Sequence, residues 1–189
     1  MGLPKPDFGE GISADKKGVT MKESVVNEVV EGLKDAGVKF VSYLPDSWLK
    51  KIYFRVQSDP DFITIPVSNE GVGVGLCCGA WLGGMKAVML MENTGIRMAC
   101  DQLARLGMSV GLPCFIIIPY RGDIGDNLTY SVAHGKTMLP VLDALQIPYL
   151  IVRDESRIRQ AIRRCLTTLS TTNYHVALIM GAEVCVEDL

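Results

Sequence analysis

The segment at 113–119, Pro-Cys-Phe-Ile-Ile-Ile-Pro, has no polar side to turn toward water. Its length and its bracketing prolines favour a strand over a helix. A strand that is apolar on both faces belongs inside a sheet with helices on each side, which is how parallel sheets are buried. The rest of the chain repeats the theme. Val25, Val26, Val29, Val30 and Leu33 recur at helical spacing over 21–36, and Gly37 supplies the stop. The alternation then predicts strands at 39–44, 62–67, 87–91, 113–119, 149–152 and 175–180, with helices at 46–56, 70–82, 96–108, 136–145 and 156–169 between them. Six strands joined by helical crossovers describe an α/β fold, a three-layer doubly wound parallel sheet with helices on both faces. In such sheets the chemistry sits beyond the carboxyl ends of the strands. The loops at 44–47, 68–71, 92–96 and 120–135 are therefore the places to search.

Composition narrows the function classes. With 189 residues, 48% of them apolar, the chain can bury the core of one domain, expected at 20–189. Residues 1–19 carry Pro, Gly and charge where a secretion leader needs an apolar run, so they read as a flexible arm without an export signal. The 19 Lys and Arg against 21 Asp and Glu leave no positive excess for a nucleic-acid backbone. Six cysteines occur without a CxxC or a Cys/His cluster, and four lie in apolar segments, which fits buried thiols in a reducing cytoplasm better than a disulfide framework. The run at 71–91 has one charge, Lys86, and is long enough to cross a bilayer. Its six glycines, the breaking pair Gly83-Gly84 included, favour a buried helix, a turn and a buried strand, with no membrane span.

Among the strand-end loops, Ser68-Asn69-Glu70-Gly71 puts a carboxylate in the first turn of an apolar, Gly-rich helix. Glu70 there is either a dipole-stabilised residue beside an ordinary cap or a desolvated carboxylate in need of a proton partner. The GVGVG run lacks the third glycine of a dinucleotide loop, and Glu70 would oppose a pyrophosphate. Gly71, Gly75, Gly79 and Gly83 recur every four residues and strip one helix face, which implies close packing on the sheet or against a partner subunit. Asn93 and Thr94 either cap the next helix or face a heterocycle edge. The loop at 120–135 holds Arg121, Asp123, Asp126, Asn127, Tyr130 and His134. His134 is a candidate acid or base, and Arg121 a candidate clamp for a carboxylate, sulfonate or phosphonate. Asp46 and Ser47, after the first strand, read as a helix cap or as polar site residues.

Five segments in order, GVKFVSYLPDSWL, PVSNEGVGVGLCCGAWLGG, MENTGI, IIIPYRGDIGD and HGKTMLPVLDALQIPY, give the chain a resemblance over roughly 20–185 to the pyrimidine-binding domain of thiamine diphosphate enzymes. It most closely resembles the sulfopyruvate decarboxylase alpha-subunit family and the matching half of phosphonopyruvate decarboxylases. The resemblance implies that Glu70 hydrogen-bonds the cofactor's pyrimidine and drives its activation, with Asn93, Thr94 and Gly95 alongside. It implies a 2-oxoacid decarboxylase in which Asp46 and His134 face the substrate as catalytic residues. Arg121 and Ser47 are then assigned to the substrate's distal anion. The family holds Mg2+ and the diphosphate through a GDG sequence and a later Asn on a second domain. Gly122-Asp123-Ile124-Gly125 lies in the wrong loop for that role and is not a metal site. The resemblance thus implies a beta subunit that supplies the diphosphate half, in a hetero-oligomer with alpha–alpha or alpha–beta contacts. The alternatives are a non-catalytic thiamine-domain subunit that only pairs with an enzyme, and a generic nucleotide-binding α/β module.

Overall fold

The computed structural model describes residues 21–126 and 128–187. The expected arm at 1–19 and Asn127 lie outside the described residues. Helix α1 (Glu23–Asp35) is followed by β1 (Val38–Tyr43), α2 (Lys50–Gln57), β2 (Ile63–Pro66), α3 (Glu70–Leu82) and β3 (Lys86–Leu90). Then come α4 (Thr94–Met98), α5 (Cys100–Leu103) and a π-helical turn (Ala104–Ser109), β4 (Phe115–Pro119), α6 (Ser131–Ala144) and β5 (Tyr149–Val152). A 3-10 turn (Glu155–Arg157), α7 (Ile158–Thr172), β6 (Val176–Met180) and the short α8 (Ala182–Cys185) complete it. The six strands form one sheet in the order β2-β1-β3-β4-β6-β5, every pairing parallel. The predicted α/β class and strand number hold.

Successive side chains of the central strands serve two separate cores. Val88, Leu90, Phe115, Ile117 and Leu178 pack with α1, α2 and α7, whereas Met89, Ile116, Ile118 and Ile179 pack with α3, α4 and α6. Val26, Val29 and Leu33 of α1 are fully buried, each contributing roughly 1.5–3 kcal/mol of burial free energy. The run at 71–91 is a helix, a turn and a strand, and among the described residues no helix is long and apolar enough to cross a membrane. All six cysteines are free thiols, five of them buried.

Three boundaries differ from expectation, each for a tertiary reason. Helix α6 begins five residues before the predicted 136, so His134 and Gly135 lie on a helix rather than in a loop. The backbones of Gly122 and Gly135 touch so closely that a Cβ on either would collide with the other segment, and this contact fixes the early start. The single helix predicted at 96–108 is broken into α4, α5 and the π-helical turn. There Gly107 sits against the His175 ring, and His175 Nε2 donates to the Leu103 carbonyl at 2.9 Å while Nδ1 accepts from Cys114 N–H at 3.0 Å. The predicted helix at 46–56 starts only at Lys50, because Asp46 caps a tight turn first.

The connections place the candidate site. From β1 the chain passes to α2 on one face, and from the neighbouring β3 to α4 on the other. The loops diverge at that point and leave a crevice at the carboxyl edge, the usual ligand position in a doubly wound sheet.

Candidate functional site

Glu70 opens α3 at the end of the β2 loop. Asn69 is the cap, its Oδ1 accepting from Gly71 N–H at 2.8 Å, so the Glu70 carboxylate is not spent on capping. Glu70 is only 6% exposed, and its carboxylate makes no hydrogen bond or ion pair among the described residues. Its side chain lies against Gly95 of α4, where a Cβ would come within 2.6 Å of Glu70 Cγ and 2.8 Å of Met91 Sδ. A bare glycine at 95 therefore lets the Glu70 side chain lie directly against the first turn of α4. A carboxylate so placed keeps its acceptor capacity for a ligand.

Across the crevice, Asp46 has every bond that Glu70 lacks. Its Oδ1 accepts from the N–H groups of Trp48 (2.9 Å) and Leu49 (3.2 Å). Its Oδ2 accepts from Arg121 Nη2 (2.5 Å) and Nε (3.2 Å), and the Tyr53 hydroxyl bridges its backbone N–H and C=O. Arg121 is itself buried, gives a further bond to Ser47 Oγ at 2.7 Å, and stacks over the Trp48 ring at 4.8 Å. Burial, the largest influence on the guanidinium, works to lower its pKa, but the charge and hydrogen bond of Asp46 outweigh it and the net shift is upward. Asp46, expected to face the substrate, thus has both carboxylate oxygens bonded within the chain, and Arg121, expected as an anion clamp, spends its Nε and Nη2 there.

Asn93, expected along a heterocycle, is fully buried, and its Nδ2 donates to the Arg121 carbonyl at 2.7 Å. It braces the β4 loop, while its Oδ1 has no partner among the described residues. Thr94 and Gly95 form the first turn of α4 beside Glu70. His134, carried to the crevice by the Gly122–Gly135 contact, has Nδ1 at 3.0 Å from Glu92 Oε1. That nitrogen is buried and not aligned for a hydrogen bond, so the accessible ring edge carries Nε2. Glu92 also lies 3.5 Å from Arg121 Nε and joins His134 to the Asp46–Arg121 pair. Sequence reasoning gives no role to Glu92 or to Trp48. The carboxylate beside Asn93 is the available signal for Glu92, whereas nothing local marks the Trp48 stack.

The GDIG segment is occupied with its own loop. Asp123 pairs with Arg153 at 2.6 Å, and Asp126 accepts from Gly122 N–H at 2.7 Å and Leu128 N–H at 2.9 Å. The glycine face of α3 divides in two. Gly71 packs under Gln102 inside the chain, whereas Gly75 and Gly79 face open space. A larger hollow of about 450 Å3, lined by Ala36, Lys86 and Arg163, sits at the opposite edge of the sheet, away from these groups.

The strand order and connections define a doubly wound α/β domain with polar side chains in the loops at the switch point of a parallel sheet. Among curated proteins, the chain is 30% identical over 154 residues to sulfopyruvate decarboxylase subunit alpha of Methanococcus maripaludis, covering 82% of this chain and 92% of that one. It is 29% identical over 160 residues to the protein of the same name from Methanothermobacter thermautotrophicus, covering 85% and 97%. Phosphonopyruvate decarboxylase of Streptomyces viridochromogenes is 32% identical over 145 residues, which are 76% of this chain and 36% of that enzyme. No family profile matches the chain. The chain belongs to the sulfopyruvate decarboxylase alpha-subunit family.

Proposed function

We propose that this chain is the pyrimidine-binding subunit of a thiamine diphosphate-dependent 2-oxoacid decarboxylase, converting sulfopyruvate to sulfoacetaldehyde and CO2, with phosphonopyruvate as the second candidate substrate. The observation that carries this reading is Glu70 at the switch point of the sheet, only 6% exposed, with a carboxylate that makes no bond among the described residues. A carboxyl group there fits a ring nitrogen with which it can share a proton, and the residues present fit the pyrimidine half of the cofactor. When bound, thiamine diphosphate supplies a nucleophilic carbon and a sink for the electron pair released as CO2 leaves.

The chain's own residues then divide the remaining work. Glu70 holds the proton shared with the pyrimidine. Thr94 and Gly95 flank the ring, and Asn93 holds the β4 loop through the Arg121 carbonyl. His134 gives or takes a proton through Nε2, with Glu92 beside Nδ1 to orient the ring. Asp46 and Arg121 keep the β1 and β4 loops in register and exclude water from that side. The diphosphate and Mg2+ fall to a beta subunit. The open Gly75 and Gly79 positions, with Val72 (53% exposed) and Leu82 (69% exposed) on the same helix, support a close-packed partner there.

The test is reconstitution. Purified alone, the chain should neither release CO2 from sulfopyruvate nor retain thiamine diphosphate, and co-expression with a cognate beta subunit should bring both. Sustained decarboxylation by the isolated chain would contradict the subunit reading. A complex whose turnover ignores changes at Glu70 and His134 would mark the chain as a non-catalytic companion.

A further inference from the structure

An open pocket of about 350 Å3 lies at the carboxyl end of β1, bounded by the rings of Tyr43, Tyr53 and Phe54 and by Asp46, Ser47 and Lys50. Most of its polar wall is already committed. The stacked Tyr43 and Tyr53 rings, 4.9 Å apart, have hydroxyls engaged by Gln57 Nε2 and by the Asp46 backbone. The Asp46 charge is neutralised by Arg121. Two groups keep capacity for a ligand. Ser47 Oγ accepts from Arg121 Nη2, which leaves its own O–H free to donate. Lys50 Nζ rests 5.7 Å from the centre of the Phe54 ring and has no ion pair or hydrogen bond among the described residues. Its neighbours differ. Lys51 is held by Glu23 at 3.0 Å and the Met21 carbonyl at 2.7 Å, and Arg55 by Glu23 at 2.9 Å.

We propose that Lys50 and Ser47 receive the distal sulfonate or phosphonate of the 2-oxoacid. This rests on the decarboxylase reading above and moves anion recognition from Arg121 to α2. The cation available at this pocket is a flexible ammonium that no carboxylate of the described residues pairs, resting beside the Phe54 ring. An ammonium is a point charge without the forked geometry of guanidinium, so it accepts either tetrahedral oxyanion. Arg121 becomes a positioning residue: it cancels the Asp46 charge, which would otherwise repel the substrate, and it turns the Ser47 proton toward the pocket.

The experiment uses the reconstituted complex and two readouts, the KM and kcat for sulfopyruvate and the dissociation constant of 3-sulfopropionate, an unreactive probe carrying the same distal anion. Lys50→Met should raise KM and the probe's Kd together by about 10- to 100-fold, the worth of one charge-assisted hydrogen bond, with the larger share of the lost kcat/KM in KM. Lys50→Arg should restore most of the affinity, and Ser47→Ala should lose a smaller part. An unchanged probe Kd in Lys50→Met overturns the assignment, as does a fall in kcat at constant KM. If the wild-type complex binds the probe through Lys50 but does not decarboxylate sulfopyruvate, the functional reading falls and the anion site stands. Decarboxylation with a probe affinity indifferent to Lys50 removes the anion site and leaves the functional reading in place.

Discussion

Two carboxylates at the same edge of the sheet are buried almost alike, Glu70 at 6% exposed and Asp46 at 9%, yet one has no partner and the other has a full set. Asp46 is enclosed by two N–H groups and a guanidinium, so it locks the β1 turn to the β4 loop. Glu70 lies with its Cγ against the bare Cα of Gly95, and its oxygens meet no donor among the described residues. Equal burial with opposite satisfaction distinguishes Asp46, bonded within the chain, from Glu70, proposed above as the cofactor's partner. The first ties two loops together, and the second keeps its oxygens available to a ligand.

Substitution should split the pair cleanly. Glu70→Gln in the reconstituted complex should lower turnover by about 10²–10⁴-fold, while the urea midpoint of the chain stays near wild type, since no bond is lost. Arg121→Met should act the other way. It leaves the Asp46 carboxylate buried and unpaired, a cost of roughly 3–5 kcal/mol in urea unfolding, and the double variant with Asp46→Asn should recover part of it. The smallest effect tests a third satisfied group, His175. Burial holds its imidazole below the ordinary value of 6.5, against the weaker upward pull of its bond to the Leu103 carbonyl. The unfolded chain therefore takes up a proton that the folded chain refuses. Stability should be full above pH 6.5 and fall below it by at most about 1.4 kcal/mol per pH unit, a slope that His175→Gln should flatten in urea titrations. Equal turnover in Glu70→Gln and wild type would erase the contrast between the two carboxylates.

Glu70 is legible in the sequence because its signal is local: a strand, a cap, a carboxylate and an apolar Gly-rich helix in sequence order. The layers are legible for the same reason, since 113–119 and its counterparts state their burial on both faces. Asp46–Arg121 is not, because 75 positions separate the partners and either residue alone reads as a cap or a surface cation. Periodicity puts His134 in a loop, because the start of α6 depends on Gly122 meeting Gly135 across the crevice, a contact no local pattern records. The break in the helix at 96–108 has the same origin, in the ring of His175 against Gly107. Sequence spacing offers the open half of the α3 glycine stripe only as an alternative, and its division between Gly71 inside and Gly75 outside requires the packed chain.

If Glu70 is kept partnerless for a ring nitrogen, cofactor binding carries a direct thermodynamic signature. In a titration run at a pH where that carboxyl is ionised in the empty site, sharing a proton with the pyrimidine draws one from solvent, so binding is linked to proton uptake. Calorimetric titration of thiamine diphosphate and Mg2+ into the reconstituted complex, in two buffers of different ionisation enthalpy, measures that uptake. The expected result is about one proton more per cofactor for the wild type than for Glu70→Gln. Identical uptake by the two proteins would contradict the account.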